Sequence, residues 1–140
     1  MAKISIWCAA WAPRLLSILR IITAFLFMEH GSMKLFGLPA PMGDISLFSL
    51  MGVAGALELV GGFLILIGLF TRPVAFILSG EMAFAYFMAH APQGFWPVLN
   101  HGESAVLYCF IFLYLAAAGG GDWSVDRVFR QPRTPAGSAP

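Results

Sequence analysis

Three ionisable residues, Arg20, Glu58 and Glu81, stand inside stretches otherwise built from apolar side chains. A charge carried into hydrocarbon is costly, so each such residue implies a partner, a ligand or a proton. At the helical rise per residue, Arg20 falls about 9 Å past Arg14, Glu81 about 12 Å past Pro73, and Glu58 late in its own stretch. These counts place all three at a similar depth. Glu58 shares a helical face with Ala54, Gly55, Gly61 and Gly62, and Arg20 shares one with Ser17, Thr23 and Ala24. Small residues mark close helix contact, so both faces look toward protein. The pattern predicts an Arg20–Glu58 ion pair and leaves Glu81 as a carboxylate without its own cation. Two carboxylates sharing one cation cannot both ionise cheaply, so one is expected to hold a proton. The cluster of Glu58, Glu81 and Arg20 is then a proton relay or a hydrogen-bond donor to a carbonyl ligand. A polar clasp that only fixes helix packing is the competing reading.

A second polar group holds Glu29, His30, Lys34, His90, Asn100, His101 and Glu103. His30, Lys34, His90, His101 and Glu103 are expected to form the polar mouth of a binding pocket, with Lys34 neutralising Glu103. Histidine and carboxylate are metal-ligating types, but the spacings match no H-x-x-x-H or H-E-x-x-H pattern, so no metal is expected. Met82, Tyr86, Phe87 and Met88 can line a flat apolar cavity, although such residues more often serve as packing or lipid-facing surface. Cys8 and Cys109 form no C-x-x-C or C-x-x-C-H pattern, which argues against a thioredoxin-like pair and a c-type haem. No G-x-G-x-x-G fingerprint for a flavin or nicotinamide is visible.

The elements that carry these residues can be read from composition. Of 140 residues, 59% are hydrophobic and 11% charged, against about 25% charged in soluble domains. Mean hydropathy is +0.82. These figures exclude a disordered chain, a nucleic-acid binder and an ordinary water-soluble enzyme, and they predict a bilayer-embedded protein. Four spans are expected, over about residues 14–30, 45–70, 73–90 and 101–118. Breakers at 37–41, 71–73 and 91–97 separate them. Residues 4–11, with Trp7 and Trp11, are expected at the interface before the first span, and no cleaved signal is evident. Lys3, Arg14, Arg72, Arg127, Arg130 and Arg133 gather at one end and Lys34 at the other. The positive-inside rule then puts both termini in the cytoplasm. The expected architecture is an all-α, four-helix membrane bundle over residues 1–126. A polar tail occupies 127–140, with residues 131–140 expected to be disordered.

An ordered set of residues carries a family resemblance. Arg20 is followed by His30-Gly31 and Lys34-Leu35, then by Glu58, Gly61-Gly62, Gly68 and Thr71-Arg72. Gly102-Glu103 comes next, and the chain leaves its last span through Gly119-Gly120-Gly121-Asp122-Trp123-Ser124-Val125-Asp126. From about Arg14 to Asp126 the chain resembles the DoxX family of small four-helix membrane proteins. The resemblance implies a multi-pass protein of a bacterial plasma membrane and quinone-related redox work, with a quinone as the cofactor and a membrane or redox protein as partner. A homo-oligomer is a further expectation. The competing functions are a non-catalytic accessory subunit of a larger membrane complex and a small-solute carrier.

Overall fold

The computed structural model describes residues 2–130, with side chains from Ile6 onward. Among the described residues every regular element is helical. Helix α1 spans Ala2–Phe36 and runs through Pro13. The stretch expected as a separate interfacial segment is therefore the opening of α1. Trp7 and Trp11 pack at 5.6 Å there, and the Arg14 guanidinium lies 5.2 Å from the Trp11 ring.

Helix α2 spans Leu50–Ile67 and starts behind Ser49, whose Oγ accepts from the Gly52 N–H at 3.1 Å. This N-cap sets the true start of the helix, later than the expected start near residue 45. Gly68, at φ 71°, ends α2, with Gly68 N–H donating to Ile65 and Leu69 N–H to Leu64. The left-handed residue and the paired bonds form a Schellman-type end.

Helix α3 spans Thr71–Ala85, with Pro73 in its first turn, and continues as a π turn over Tyr86–His90 and a 3-10 turn over Ala91–Gln93. Helix α4 spans Glu103–Ala118 and α5 spans Val125–Arg130. Helix α5 carries regular structure into the expected polar tail, and residues 131–140 of that tail lie outside the described residues.

Among the described residues three helical segments are long and apolar enough to cross a membrane: Ile6–Phe36, Leu50–Ile67 and Thr71–Gln93. Helix α4 is apolar but has 16 residues, about 24 Å of helix, which falls short of a hydrocarbon core of about 30 Å. Successive helices alternate in direction. α1 pairs with α2, α3 pairs with α4, and α2 against α3 joins the two hairpins.

Inside, Ala24, Phe27, Ile65, Ala75, Leu78, Phe112 and Leu115 are buried. Phe27 meets the Phe112 ring edge-on at 4.8 Å. Outside, Ile22, Phe25, Phe63, Phe76, Phe84 and Phe110 are exposed. A surface this apolar is matched to lipid rather than water.

The glycine face of α2 sets the helix spacing. A Cβ on Gly31 would stand 2.8 Å from the Gly55 carbonyl oxygen, and one on Gly61 would stand 2.8 Å from the Leu78 side chain. Close approach of α1 to α2 and of α2 to α3 thus depends on absent side chains.

Candidate functional site

The close approach of α1 and α2 brings Lys34 and Glu58 together. A Cβ on Gly55 would lie 2.9 Å from Lys34 Cβ, and one on Gly31 would lie 3.1 Å from Glu58 Cβ. Each glycine thus sits opposite one of the charged residues. Lys34 Nζ donates to Glu58 Oε1 at 2.5 Å, with 13% of the Lys34 side chain and 3% of the Glu58 side chain exposed. The cation partner of Glu58 is therefore Lys34, which corrects the expected Arg20–Glu58 pair. It also corrects the expected pairing of Lys34 with Glu103, which is exposed.

Depth explains the correction. Helix α2 starts at Leu50 and α1 continues to Phe36. Moving the start of α2 by five residues shifts the expected level by about 7.5 Å, more than one helical turn. Lys34 then belongs to a helix at the level of Glu58, rather than to a loop beyond it.

Arg20 is fully buried and reaches backbone oxygens only. Its Nε donates to Gly120 O at 2.8 Å and its Nη2 to Trp123 O at 2.6 Å. Nη1 donates to Ile65 O and to Leu66 O. Ile65 and Leu66 lie in the last turn of α2, where Ile65 O also takes the Gly68 N–H and the helix dipole favours a cation. Arg20 is thus a clasp tying α1 to the end of α2 and to the turn after α4. Its predicted place beside Glu58 and Glu81 is not where the structure puts it.

Glu81 does lie near Glu58. In the antiparallel α2–α3 pair Gly61 meets Leu78, so stepping three residues along each helix sets Glu58 opposite Glu81. Glu58 Oε2 and both Glu81 carboxyl oxygens are buried without a hydrogen-bond partner among the described residues. Buried polar atoms in native proteins are normally satisfied, so three at one level mark this place. The set of Lys34, Glu58 and Glu81 carries one negative charge in excess when both carboxyls are ionised.

A cavity of about 270 Å³ opens on the Lys34–Glu58 pair. Phe27, Met82, Ala85, Ala105 and Tyr108 supply apolar wall, and His30, His90, Ser104 and Met42 complete it. His90 ends the π turn and stacks on Tyr86 at 6.3 Å. Its Nδ1 lies 2.9 Å from the Asn100 carbonyl oxygen. A carbonyl can only accept, so the Nδ1 carries a proton and donates here. π turns collect at functional sites, where the extra residue turns the next side chains to a new direction. Asn100 is itself fixed: its side chain donates to Gly94 O at 2.8 Å and accepts from Gly102 N–H at 2.9 Å.

Of the expected pocket residues, the structure joins His30, Lys34 and His90 to Glu58 around one cavity. His101, at φ 57°, and Glu103 are exposed and do not line it. Of the expected apolar group, Met82 lines the cavity, Tyr86 stands behind His90, and Phe87 and Met88 are exposed. Sequence reasoning missed Phe27, Ala105 and Tyr108. The signal for Tyr108 was a hydroxyl inside an apolar run, four residues from Ser104 and from the buried Phe112.

The opposite end of the bundle is fastened by α5. Asp126 accepts from Phe70 N–H and Thr71 N–H at 2.8 Å each and so caps the start of α3. Burial pushes the Asp126 carboxyl up, but the Thr71 and Phe70 N–H bonds and the nearby Arg130 outweigh it and hold it below its ordinary value.

Comparison with known proteins places the chain among bacterial relatives. The sequence model of the DoxX family matches residues 15–91. An uncharacterized protein of Haemophilus influenzae is 43% identical over 129 residues, covering 85% of this chain and 93% of that protein. A Bacillus subtilis protein named "Putative oxidoreductase CatD" is 30% identical over 113 residues, covering 78% of this chain and 82% of that one. No solved structure matches.

Proposed function

The chain belongs to the DoxX family, and on that premise we propose that it is a membrane-embedded subunit of a quinone-linked oxidoreductase system. The cavity on Lys34 and Glu58 holds a quinone or a similar apolar redox molecule and assists its proton transfer. One observation carries this reading. The cavity joins apolar wall to an ammonium whose carboxylate partner keeps a buried oxygen without a protein partner. Pockets of this make-up, mostly apolar with a few placed polar groups, take small ligands.

The residues divide the work. Phe27, Met82 and Tyr108 receive a flat ring. Lys34 has three donors and spends one on Glu58, so two remain for a ring oxygen. Glu58 and Glu81 face each other across α2 and α3, and one proton between them brings the three-residue group to neutrality. That proton can pass to or from a ligand oxygen at the cavity floor. A bound quinone supplies two-electron, two-proton chemistry, and the electrons pass to or from a protein partner. The name of the Bacillus subtilis relative agrees with oxidoreductase work.

The test is Glu58→Gln in the assembled membrane complex. Quinone-dependent turnover is expected to fall by about 10²–10⁴, the usual worth of a positioned acid–base group. Unchanged turnover refutes the proton role. A second reading, a non-catalytic accessory subunit, draws on Arg20, a buried charge bonded only to backbone carbonyls. Full turnover of Glu58→Gln with a stoichiometric partner retained would support that reading instead.

A further inference from the structure

A second cavity, of about 260 Å³, lies at the α5 end of the bundle. Arg72 from the start of α3 and Arg127 and Arg130 from α5 line it, beside the glycine turn 119–121. Its two carboxylates are already engaged. Asp126 caps α3 through Phe70 and Thr71, and Asp122 is ion-paired with Arg127. Arg72 makes one long bond, 3.5 Å to Ala118 O, and among the described residues neither Arg72 nor Arg130 forms a direct ion pair, although Arg130 lies near Asp126. Two guanidinium groups with unspent donors therefore border one cavity, and Gly120 and Gly121 N–H also donate to no acceptor among the described residues.

The surroundings say which kind of anion belongs there. Pro13, Leu16 and Ala118 give the cavity an apolar side. Phe70, Trp123, Val128 and Phe129 stand exposed at the same end, Phe129 to 75%. Aromatic side chains at the end of spanning helices settle at head-group depth. A cavity with cationic donors, an apolar flank and this depth matches a phosphodiester with its acyl-glycerol attached better than an anion in free water.

We propose that this cavity binds the phosphate of an anionic phospholipid head group, with Arg72 and Arg130 as the charge-assisted donors. Free phosphate offers the same oxygens without the apolar part. The site is separate from the quinone cavity and does not depend on that reading.

The test is native mass spectrometry of the whole chain in mild detergent, titrated with phosphatidylglycerol, phosphatidylcholine or inorganic phosphate. Phosphatidylglycerol is expected to stay bound at about tenfold lower concentration than phosphatidylcholine, and R72Q/R130Q should erase that preference. R14Q, which removes a cation placed over Trp11 and outside the cavity, should keep it. R130Q alone changes an exposed residue at the end of α5 and serves if the double variant does not fold; about a fivefold loss is expected. Equal binding of the two lipids, or an undiminished preference in R130Q or the double variant, overturns the proposal. Displacement of phosphatidylglycerol by millimolar phosphate assigns the cavity to the free anion and overturns the lipid assignment.

Discussion

Arg20 and Glu58 are both buried, at 0% and 2% exposure, within one helical bundle, yet the protein treats them in opposite ways. Around Arg20 every partner is a backbone carbonyl of a helix end or turn, and four of the five guanidinium N–H donors are spent on them. Around Glu58 one oxygen is paired, the other is not, a second carboxyl faces it without partners, and a cavity opens beside them. A buried charge spent mostly on backbone carbonyls, and lining neither cavity, works as a fastener. An unsaturated one costs stability at rest and is retained for what it can bind or transfer. The two regions carry the same kind of sequence signal, a charge in an apolar run, and only the partner count separates them.

The largest expected effect tests the fastener. Arg20→Leu leaves the Leu66, Gly120 and Trp123 carbonyls without this donor, while Ile65 O keeps the Gly68 N–H, and an unmade buried bond costs about 1–3 kcal/mol. A loss of at least about 3 kcal/mol is expected, read as a fall in thermal midpoint in detergent or as failure to accumulate in the membrane. A stable Arg20→Leu protein would break the comparison. Glu81→Leu tests the other side and should have the opposite sign. Removing a buried carboxyl without partners is expected to stabilise by about 1–3 kcal/mol, while quinone-dependent turnover falls. A destabilised Glu81→Leu protein would mean that its carboxyl has a structural partner after all.

Smaller effects sharpen the contrast. Gly55→Val forces α1 away from α2 at the Lys34 level, and overpacking of this kind costs about 1–3 kcal/mol. The measurement is whether turnover falls further than the thermal midpoint alone accounts for. The smallest effect concerns Asp126. Its carboxyl lies below its ordinary value, so its contribution is present above the ordinary carboxylate range and fades as pH falls through the folded value. Asp126→Asn should cost about 0.5–1 kcal/mol near neutral pH, the low end for a cap open to water, and should flatten the acid limb of a stability–pH curve. An unchanged acid limb would remove Asp126 from the cap.

Much of the bundle was legible in the residues because lipid imposes a simple rule on composition. Apolar runs and the breaker at 71–73 located the turn between α2 and α3, and the glycines around Glu58 identified the face that packs. What failed was axial depth. Ser49 rather than Ile45 governs the start of α2, and Phe36 rather than His30 ends α1. A charged pair is meaningful only at matched levels, so this slip gave Glu58 the wrong cation. The opposed glycines Gly31 and Gly55 held the information, since residues that allow contact between helices also fix their register. His90 was named for the pocket and lines it, but the π turn that directs it there was not legible, because periodic counting assumes an α-helix.

The clasp also imposes an order in time. The carbonyls that hold Arg20 come from Ile65, Leu66, Gly120 and Trp123. They lie 45, 46, 100 and 103 residues later in the chain. At about 5–20 residues per second of synthesis, the last of them appears roughly 5–20 s after Arg20 itself. Until then Arg20 lacks part of its final set of carbonyls, since Ile65 and Leu66 are made about halfway through and Gly120 and Trp123 at the end. The glycine-rich exit from α4 therefore completes the clasp, and a chain truncated after Ala118 would leave its guanidinium without two of its four carbonyls.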